Sequence, residues 1–399
     1  MTTTREPADP RLGLSPARKL PSRLPSLTGA RFVAAGLVFL FHSCWQVFWE
    51  QTPDPERTST FPLFFQGGWT GVSFFFVLSG FVLTWAVRPG DDAPTFWRRR
   101  FFKIYPNHLL TLIAAAVLLT WVAKTTIDGW DSVLNLLLLQ SWDTDIETRI
   151  SLNPVAWSLS CEALFYFSFP FLIKVIDKVR PERLWFWAIL SAGSVVSVPF
   201  FATLLPDAEP MPIAGFTLHE MWLLFQFPPV RMLEFVFGIF MAKIVITGRR
   251  LPLRLGGATA LAIGAYFLTP LFGPTFRLQA VMVVPLGLLI AAGAVADTQR
   301  QDTFLGNRLM VWLGDISFAF YMWHNMVLIY GYQWLNGGAT WSTTTTVAAV
   351  ALLFVVTLVL SWATFTFVER PIMKRFATSR RKRGLAAVAA GAPPDRVVR

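Results

Sequence analysis

Arg31 and His42 are two ionisable residues within one long apolar stretch near the start of the chain. The stretch, residues 29–49, is long enough to cross a bilayer as a helix. Eleven helical steps place the two side chains about 16 Å apart along the axis and at nearly the same angle around it. Ionisable groups at membrane depth cost about 2.5–3.5 kcal/mol each, so they usually line a functional site. An imidazole in such a site is a candidate general base near neutral pH.

A second apolar run also contains a histidine. His324 lies eleven residues into a run that begins near Leu313, so helical rise places it at a depth comparable to that of His42. Ser317, Tyr321 and His324 recur at i, i+4 and i+7, which forms one polar stripe on an otherwise apolar helix. This stripe is a candidate surface for binding a substrate.

Glu162 is a third ionisable group predicted to lie at depth. An Asn-Pro pair, which favours the start of a helix, lies about eight residues before Glu162. A buried carboxylate needs a partner or a raised pKa. His42 and His324 are candidate partners, because an imidazole oriented by a carboxylate is a competent general base. Trp157 lies nearby, where packing at the membrane interface is the more ordinary role for a tryptophan.

Arg99 and Lys103 belong to a basic stretch, residues 98–103, that precedes the third apolar run. They are four residues apart, so on a helix they share a face and can grip phosphate groups together. Anchoring at the cytoplasmic membrane surface is the alternative role of such a stretch. Both roles place these side chains on the cytoplasmic side.

The composition indicates a polytopic membrane protein. The 399-residue chain is 54% hydrophobic and 15% charged, with 37 Phe and 17 Trp, whereas a soluble domain carries about 25% charged residues. The net charge of +11 is distributed in short clusters between apolar runs, which is typical of cytoplasmic loops and not of a nucleic-acid-binding face. The two cysteines lie inside apolar runs, and no compact spacing of metal ligands is present, so we predict no metal site.

Ten apolar runs are each close to the ~20 residues that a membrane span requires. They are residues 29–49, 68–87, 104–123, 155–176, 184–205, 226–247, 253–272, 277–296, 313–333 and 345–367. A further run, residues 133–142, is about half that length. If it crossed, every later basic cluster would change sides, so the positive-inside rule favours a re-entrant or surface segment. We therefore predict an all-α polytopic membrane protein with about ten transmembrane helices, one such short segment, and both termini in the cytoplasm.

Three regions are predicted along the chain. Residues 1–27 and 373–399 are polar and basic, which is typical of disordered tails. The N-terminal tail is expected to be retained, because the apolar run after it is too long for a signal peptide and lacks an Ala-x-Ala cleavage pattern. Residues 28–372 form one membrane domain with no internal repeat of solenoid period.

Several of these pieces occur in an order that resembles acyltransferase family 3, the integral-membrane O-acyltransferases of bacteria, over nearly all of residues 27–372. The motifs are Leu27-Thr-Gly-Ala-Arg31 with His42, the run from Gly71 to Gly80 and Phe81, the basic stretch before Ile104-Tyr105-Pro106, Trp157-Ser-Leu-x-x-Glu162, Gly314-Asp-Ile-Ser317 with Tyr321 and His324, and Val368-Glu369-Arg370-Pro371. One position departs from the family pattern: Lys103 stands where the family usually has a second arginine. Lysine keeps the charge but loses the bidentate guanidinium fork.

The resemblance implies transfer of an acyl group, often acetyl, from cytoplasmic acyl-CoA to a hydroxyl group. The implied partners are acyl-CoA, a hydroxylated acceptor and membrane lipid, with no nucleic acid and no tightly bound cofactor. Acceptors in the family include surface polysaccharides, lipid-linked sugars, and macrolide or other natural-product scaffolds. The implied location is the cytoplasmic membrane of the cell, as a multi-pass protein.

Within that framework each candidate residue receives an expected role. His42 is the general base and Glu162 orients or charges it. The basic residues near the cytoplasmic side bind the phosphates of CoA: Arg31, Arg99 and Lys103. The side chains expected to hold the acceptor or the oxyanion are Trp157, Ser317, Tyr321 and His324. An acyl-histidine intermediate on His42 is an alternative to direct transfer.

Two other classes of function fit some of the same residues. A transporter or exporter of a sugar or lipid also keeps ionisable groups in its spans, where they relay protons. Transporters often show two-fold repeats or matched broken helices, and the sequence displays neither. A non-catalytic membrane subunit is disfavoured by the number of ionisable groups at depth.

Overall fold

The computed structural model describes residues 20–48, 62–87, 92–202, 204–206, 209–210 and 215–377. Within these residues the chain is almost entirely helical, and its β-structure is a single isolated bridge between Pro210 and Thr217. This confirms the all-α class. Most of both predicted tails lies outside the described residues. Within the described part, the first helix begins at Pro25 and Met373–Ala377 form a helical turn, so the ends of both predicted tails next to the membrane domain are helical.

Ten helices of 14 residues or more lie in the described part of the chain, and each coincides with one of the ten apolar runs. In chain order they are α1 Pro25–Ser43, α2 Pro62–Ala86, α3 Ala93–Val117, α4 Trp157–Ile176, α5 Leu184–Ala202, α6 Pro228–Ile246, α7 Leu255–Leu268, α8 Val283–Thr298, α9 Arg308–Asn336 and α10 Thr343–Thr364. Several are extended by a turn at one end, such as Cys44–Phe48 after α1.

Six helical segments of the described chain are long and apolar enough to cross a membrane by length and composition. They are Pro25–Phe48, Gly67–Ala86, Ala93–Val122, Trp157–Ile176, Pro181–Ala202 and Thr343–Ala377. Helices α7 and α8 are apolar but shorter. Helix α6 carries three charged residues, Arg231, Glu234 and Lys243. The chain is therefore a membrane protein with several spans, and the count of ten spans and the cytoplasmic location of both termini stay predictions.

The short run at residues 133–142 forms an eight-residue helix, Gly129–Leu136, followed by the 3₁₀ turn Gln140–Trp142. An eight-residue helix is far below the length of a span, so this run is too short to cross as a helix, and its placement as a re-entrant or surface segment stays a prediction.

The loop between this short helix and α4 folds into the protein. The Asn153 side-chain amide donates to the Met322 carbonyl at 3.1 Å, and the Tyr321 hydroxyl donates to the Val155 carbonyl at 3.2 Å. Tyr321 and Met322 lie near the middle of α9. Helix α4 consequently begins inside the protein and not at its outer surface, which displaces its first turns toward the end of α1 that carries Arg31.

Helix α1 packs between α2 and α9, and glycine allows the close crossing with α9. A Cβ added at Gly314 would lie 1.9 Å from the Thr28 carbonyl oxygen, and one added at Gly29 would lie 2.0 Å from the carbonyl oxygen of Leu305, in the turn before α9. Small residues at such positions let two backbones approach closely. These two glycines belong to the motifs that contain Arg31 and Ser317, so they set the spacing between two site-bearing helices.

The N-terminus of α1 is held by a carboxylate from the end of α8. The Ser26 backbone N–H lies 3.2 and 3.1 Å from the two Asp297 carboxylate oxygens, and the Ser26 hydroxyl donates to Asp297 at 2.5 Å. Carboxylates are favourable at helix N-termini, where backbone N–H groups lack helical partners. This contact ties the start of α1, six residues before Arg31, to the end of α8.

Helices α2 and α6 cross through a reciprocal pair of glycines. A Cβ at Gly80 would lie 1.9 Å from the Phe235 carbonyl oxygen, and one at Gly238 would lie 2.0 Å from the Val77 carbonyl oxygen. Each added methyl would meet backbone, which cannot rotate away as a side chain can.

We expect Gly80→Ala to lower the free energy of unfolding by about 1–3 kcal/mol or more, because the helices must separate. Thermal unfolding in detergent measures this. Gly193→Ala is the matched control, since a Cβ at Gly193 in α5 meets no atom within 4 Å. There alanine should be neutral or stabilising by up to about 1 kcal/mol, from helix propensity. Equal melting temperatures for the two variants would contradict the close crossing.

Candidate active site with a histidine pair

His42 and His324 are in direct contact. The distance from His42 Nδ1 to His324 Nε2 is 3.0 Å, and the ring centroids are 4.9 Å apart. His42 lies in the last turn of α1 and is half-buried, whereas His324 lies in the middle of α9 and is fully buried. Two residues that the sequence placed at comparable depth thus form one pair, 282 positions apart in the chain.

Glu162 lies away from this pair and bonds to a tyrosine. Its carboxylate accepts a hydrogen bond from the Tyr166 hydroxyl at 2.9 Å. The charges of Arg31, Arg100 and Lys103 lie close enough to act on it electrostatically. Glu162 is the residue that the sequence predicts to orient His42, whereas the side chain that contacts the His42 ring in the structure is His324. The physical reason is the inward start of α4, which brings Glu162 to the level of Arg31.

A cavity of about 50 Å³ joins Arg31 to the polar stripe of α9. Its polar lining is Arg31, Ser158, Glu162, Ser317 and Tyr321, and its apolar lining comes from residues 72, 75, 76, 159 and 318. Arg31 contributes from α1, and Tyr321 lies one turn before His324 on α9. The structure therefore gathers four predicted site residues, Arg31, Glu162, Ser317 and Tyr321, around one space.

The hydroxyl groups of Ser317 and Tyr321 are already used as donors. Ser317 donates to the Gly314 carbonyl at 2.8 Å, and Tyr321 donates to the Val155 carbonyl at 3.2 Å. Each oxygen keeps a lone pair that can accept a hydrogen bond. The two groups are therefore better suited to accepting a bond from a substrate O–H or N–H than to donating to an oxyanion.

Trp157 packs against aromatic rings and does not line this cavity. Its ring centroid lies 4.7 Å from that of Phe225 and 6.3 Å from that of Phe76. The residue is buried, and its carbonyl accepts a bond from the Ser141 hydroxyl at 2.8 Å. These contacts match the packing role that the sequence analysis weighed for it.

Basic side chains gather where α3 begins. Arg99 and Arg100 are half-buried, and the Arg100 guanidinium lies 5.5 Å from the ring centroid of Phe96 and 5.9 Å from that of Tyr166. The charges of Arg31, Arg99 and Glu162 act on Arg100. Arg31, Arg99 and Arg100 therefore form one basic cluster, of which Arg31 lines the cavity.

Lys103 is engaged by an acidic residue from the far end of the chain. Its ammonium forms an ion pair with Glu369, which is 2% exposed and also accepts a bond from the Asn107 amide at 2.6 Å. The spacing of Lys103 and Arg99 predicts that both bind phosphate, whereas in the structure Lys103 forms an ion pair within the protein. Glu369 belongs to the Glu369-Arg370-Pro371 motif, but the motif by itself does not predict this partner.

A second charged network lies in α6. Arg231 and Glu234 are fully buried and form an ion pair of 2.9 Å. Arg231 also donates to the Gln279 amide oxygen at 2.7 Å and to the Ser73 hydroxyl at 3.1 Å. Its guanidinium carbon lies 4.8 Å from the ring centroid of Phe76. The network ties α6 to α2 and to the segment before α8, as expected of a structural ion pair.

Comparison with known proteins agrees with the motifs. The family model described as an acyltransferase domain matches residues 24–366. The acyltransferase MdmB of Streptomyces mycarofaciens is 42% identical over 363 residues, which cover 88% of this chain and 92% of MdmB. No solved structure matches the chain.

Two more distant relatives are named as O-acetyltransferases. The putative peptidoglycan O-acetyltransferase YrhL of Bacillus subtilis (strain 168) is 24% identical, and the match covers 77% of this chain and 50% of YrhL. The O-acetyltransferase OatA of Staphylococcus aureus is 21% identical, and the match covers 91% of this chain and 60% of OatA. This chain thus spans about half the length of these two relatives. Because the family model covers most of its residues, the chain belongs to acyltransferase family 3 and is a membrane O-acyltransferase.

Proposed function

We propose that this enzyme transfers an acyl group, acetyl foremost, from acyl-CoA to a hydroxyl of a sugar, a lipid-linked glycan or a macrolide-type natural product. The proposed location is the cytoplasmic membrane, with acyl-CoA arriving from the cytoplasm. One observation carries the proposal: Arg31 of the basic cluster lines the same cavity as Tyr321, which lies one turn before His324 of the histidine pair. The helical rise from Arg31 to His42 is about 16 Å, which is comparable to the reach of an extended pantetheine arm.

The proposed chemistry uses His42 as general base. Its free ring nitrogen takes the proton of the acceptor hydroxyl while the oxygen attacks the thioester carbonyl. The tetrahedral intermediate then expels the CoA thiolate as the C–S bond breaks, and the thiolate recovers the proton from His42. The products are the acyl ester and free CoA, and His42 returns to its neutral form.

A route through acyl-histidine is the alternative. There the His42 nitrogen attacks the thioester itself, CoA leaves, and the acceptor hydroxyl then attacks the acyl-imidazole. Exchange of radiolabelled CoA into acetyl-CoA without acceptor distinguishes the routes, because reversible formation of acyl-histidine releases and recaptures CoA. Exchange by wild type that is absent from His42→Gln would favour the acyl-histidine route, and a wild type that turns over with acceptor but shows no exchange would favour direct transfer.

The small cavity supports a short acyl chain. A volume of about 50 Å³ holds only a few water molecules, and part of its wall is formed by Phe75 and Phe318. A cavity of this size suits an acetyl group better than a long aliphatic tail. We therefore expect acetyl-CoA to be used more efficiently than long-chain acyl-CoA.

The basic cluster is proposed to bind the CoA phosphates. We expect Arg99→Ala to raise the KM for acetyl-CoA about 10–100-fold with a smaller change in kcat, because a charge-assisted hydrogen bond contributes about 1.5–3 kcal/mol. Initial rates at several acetyl-CoA concentrations measure this. Arg180→Ala is the control, since Arg180 is an exposed arginine of another basic loop. Equal KM values for Arg99→Ala and wild type would contradict the assignment.

The test of the function is thiol release by purified protein in detergent or nanodiscs. Acetyl-CoA is supplied with panels of sugars, lipid-linked sugars and macrolides, and acetylated products are identified by mass spectrometry. Release that depends on both an acceptor and His42 supports the proposal. Failure of every acceptor and donor to give His42-dependent release would overturn it. Metabolite profiles of a deletion strain select the acceptors to be tested.

A further inference from the structure

We infer that His324 is a positioning residue: it holds His42 in the Nδ1–H tautomer and so leaves the His42 Nε2 lone pair free for the acceptor hydroxyl. The inference rests on the proposed role of His42 as general base. It starts from three distances around the histidine pair and from the rule that two hydrogen-bond acceptors cannot bond to each other without a proton between them.

The first distance defines the tautomer of His324. Its Nδ1 lies 2.6 Å from the Tyr321 carbonyl oxygen. A carbonyl oxygen only accepts, so Nδ1 of His324 must carry the hydrogen. A neutral imidazole carries a hydrogen on one ring nitrogen only. The Nε2 of His324 therefore presents a lone pair.

The other two distances define the tautomer of His42. Its Nδ1 lies 3.0 Å from His324 Nε2 and 3.0 Å from the Val38 carbonyl oxygen. Both neighbours are acceptors, so Nδ1 of His42 must carry the hydrogen and share it between them. The lone pair of His42 is then on Nε2, the only ring position from which it can remove a proton.

The ring of His324 is held firmly in this arrangement. The residue is fully buried on α9, and its ring lies parallel to that of Phe320, with an interplanar angle of 7° and a centroid distance of 6.3 Å. Phe39 from α1 lies at 6.5 Å on centroids. The aromatic packing leaves the imidazole little freedom to turn and exchange its two nitrogens.

The arrangement performs the orienting task that a carboxylate performs in an Asp–His pair. The tautomer of a histidine is set by the hydrogen bond that one of its two ring nitrogens makes with a fixed partner. Here the series of hydrogen bonds runs from the Tyr321 carbonyl through His324 to His42. When His42 takes up a proton, the His324 lone pair continues to accept the Nδ1–H bond and stabilises the imidazolium.

Two substitutions separate positioning from simple packing. His324→Gln retains an amide oxygen that can accept from His42 Nδ1–H, whereas His324→Leu has comparable bulk and no acceptor. We expect His324→Leu to lower kcat about 10²-fold or more with little change in the KM for acetyl-CoA, as for a base in the wrong tautomer. His324→Gln should recover kcat to within about tenfold of wild type. Melting temperatures of both variants show that they are folded.

The outcomes distinguish this inference from the proposed function. Loss of activity in His42→Ala together with unchanged kcat in His324→Leu would overturn the positioning role and leave His42 as the base. Equal losses of kcat in His324→Gln and His324→Leu would also overturn it. Full activity of His42→Ala would overturn the proposed function itself.

A spectroscopic measurement tests the tautomer without any substrate. The chain has four histidines, so ¹⁵N-histidine labelling gives few signals, and comparison with His42→Gln assigns that of His42. We expect nitrogen shifts of an Nδ1–H tautomer for His42, which change to those of mixed or Nε2–H tautomers in His324→Leu. An Nε2–H tautomer in wild type would contradict the inference.

Discussion

Replacing His42 by alanine is expected to lower the rate of acyl transfer about 10²–10⁴-fold, which is the usual contribution of a positioned general base. The KM for acetyl-CoA should change much less, because Arg31, which is expected to bind its phosphates, lies about 16 Å away along α1. A large fall in kcat with little change in the KM for acetyl-CoA is the result expected for a residue that acts on the acceptor proton.

The measurement is steady-state acetylation of an identified acceptor by the purified variant. His219→Ala is the matched control, because His219 lies outside the pair and its Nδ1 is 3.3 Å from the Pro206 carbonyl. That variant should retain wild-type rates. Near-normal turnover by folded His42→Ala would show that the proton is removed elsewhere. A large rise in KM with unchanged kcat would instead make His42 a binding residue.

Replacing Glu234 by alanine is expected to lower the free energy of unfolding by about 3–5 kcal/mol. The change leaves the Arg231 guanidinium fully buried without its carboxylate partner, and an uncompensated buried charge is among the most destabilising consequences of a single substitution. Gln279 and Ser73 still accept from Arg231, but neither carries a negative charge.

Unfolding in detergent, followed by helix content against temperature or denaturant, measures this loss. The control is the double variant Arg231→Met with Glu234→Leu, which removes both charges and keeps similar volumes. Apolar replacement of a whole buried ion pair is often neutral or stabilising, so this variant should recover most of the stability. If Glu234→Ala were as stable as wild type, the prediction would be wrong, and Arg231 would have gained a new anionic or solvent partner.

Much of the fold was predictable from hydropathy alone. The ten apolar runs correspond to the ten long helices, because a segment that must satisfy its backbone hydrogen bonds in lipid has to be helical. The short run at residues 133–142 was recognisable by its length. The same local reasoning placed Arg31 and His42 on one face of α1, and it placed His42 and His324 at comparable depth.

Part of the site was predictable for the same reason. Ser317 and Tyr321 share one helical stripe, and both line the cavity together with Arg31 and Glu162. What the sequence could not supply was the pairing among these residues. The contact between Lys103 and Glu369 joins positions 266 apart, and nothing in the local pattern of either segment specifies the other.

The sequence by itself determined which segments are helices, which residues share a helix face, and to which family the chain belongs. Only the tertiary structure decided that His324, and not Glu162, touches His42, and that Glu162 lies at the level of Arg31. The physical reason is that hydropathy and periodicity act within one segment. The axial shift of a helix depends on packing against its neighbours, here on the glycine contacts of α1 with α9 and on the inward start of α4.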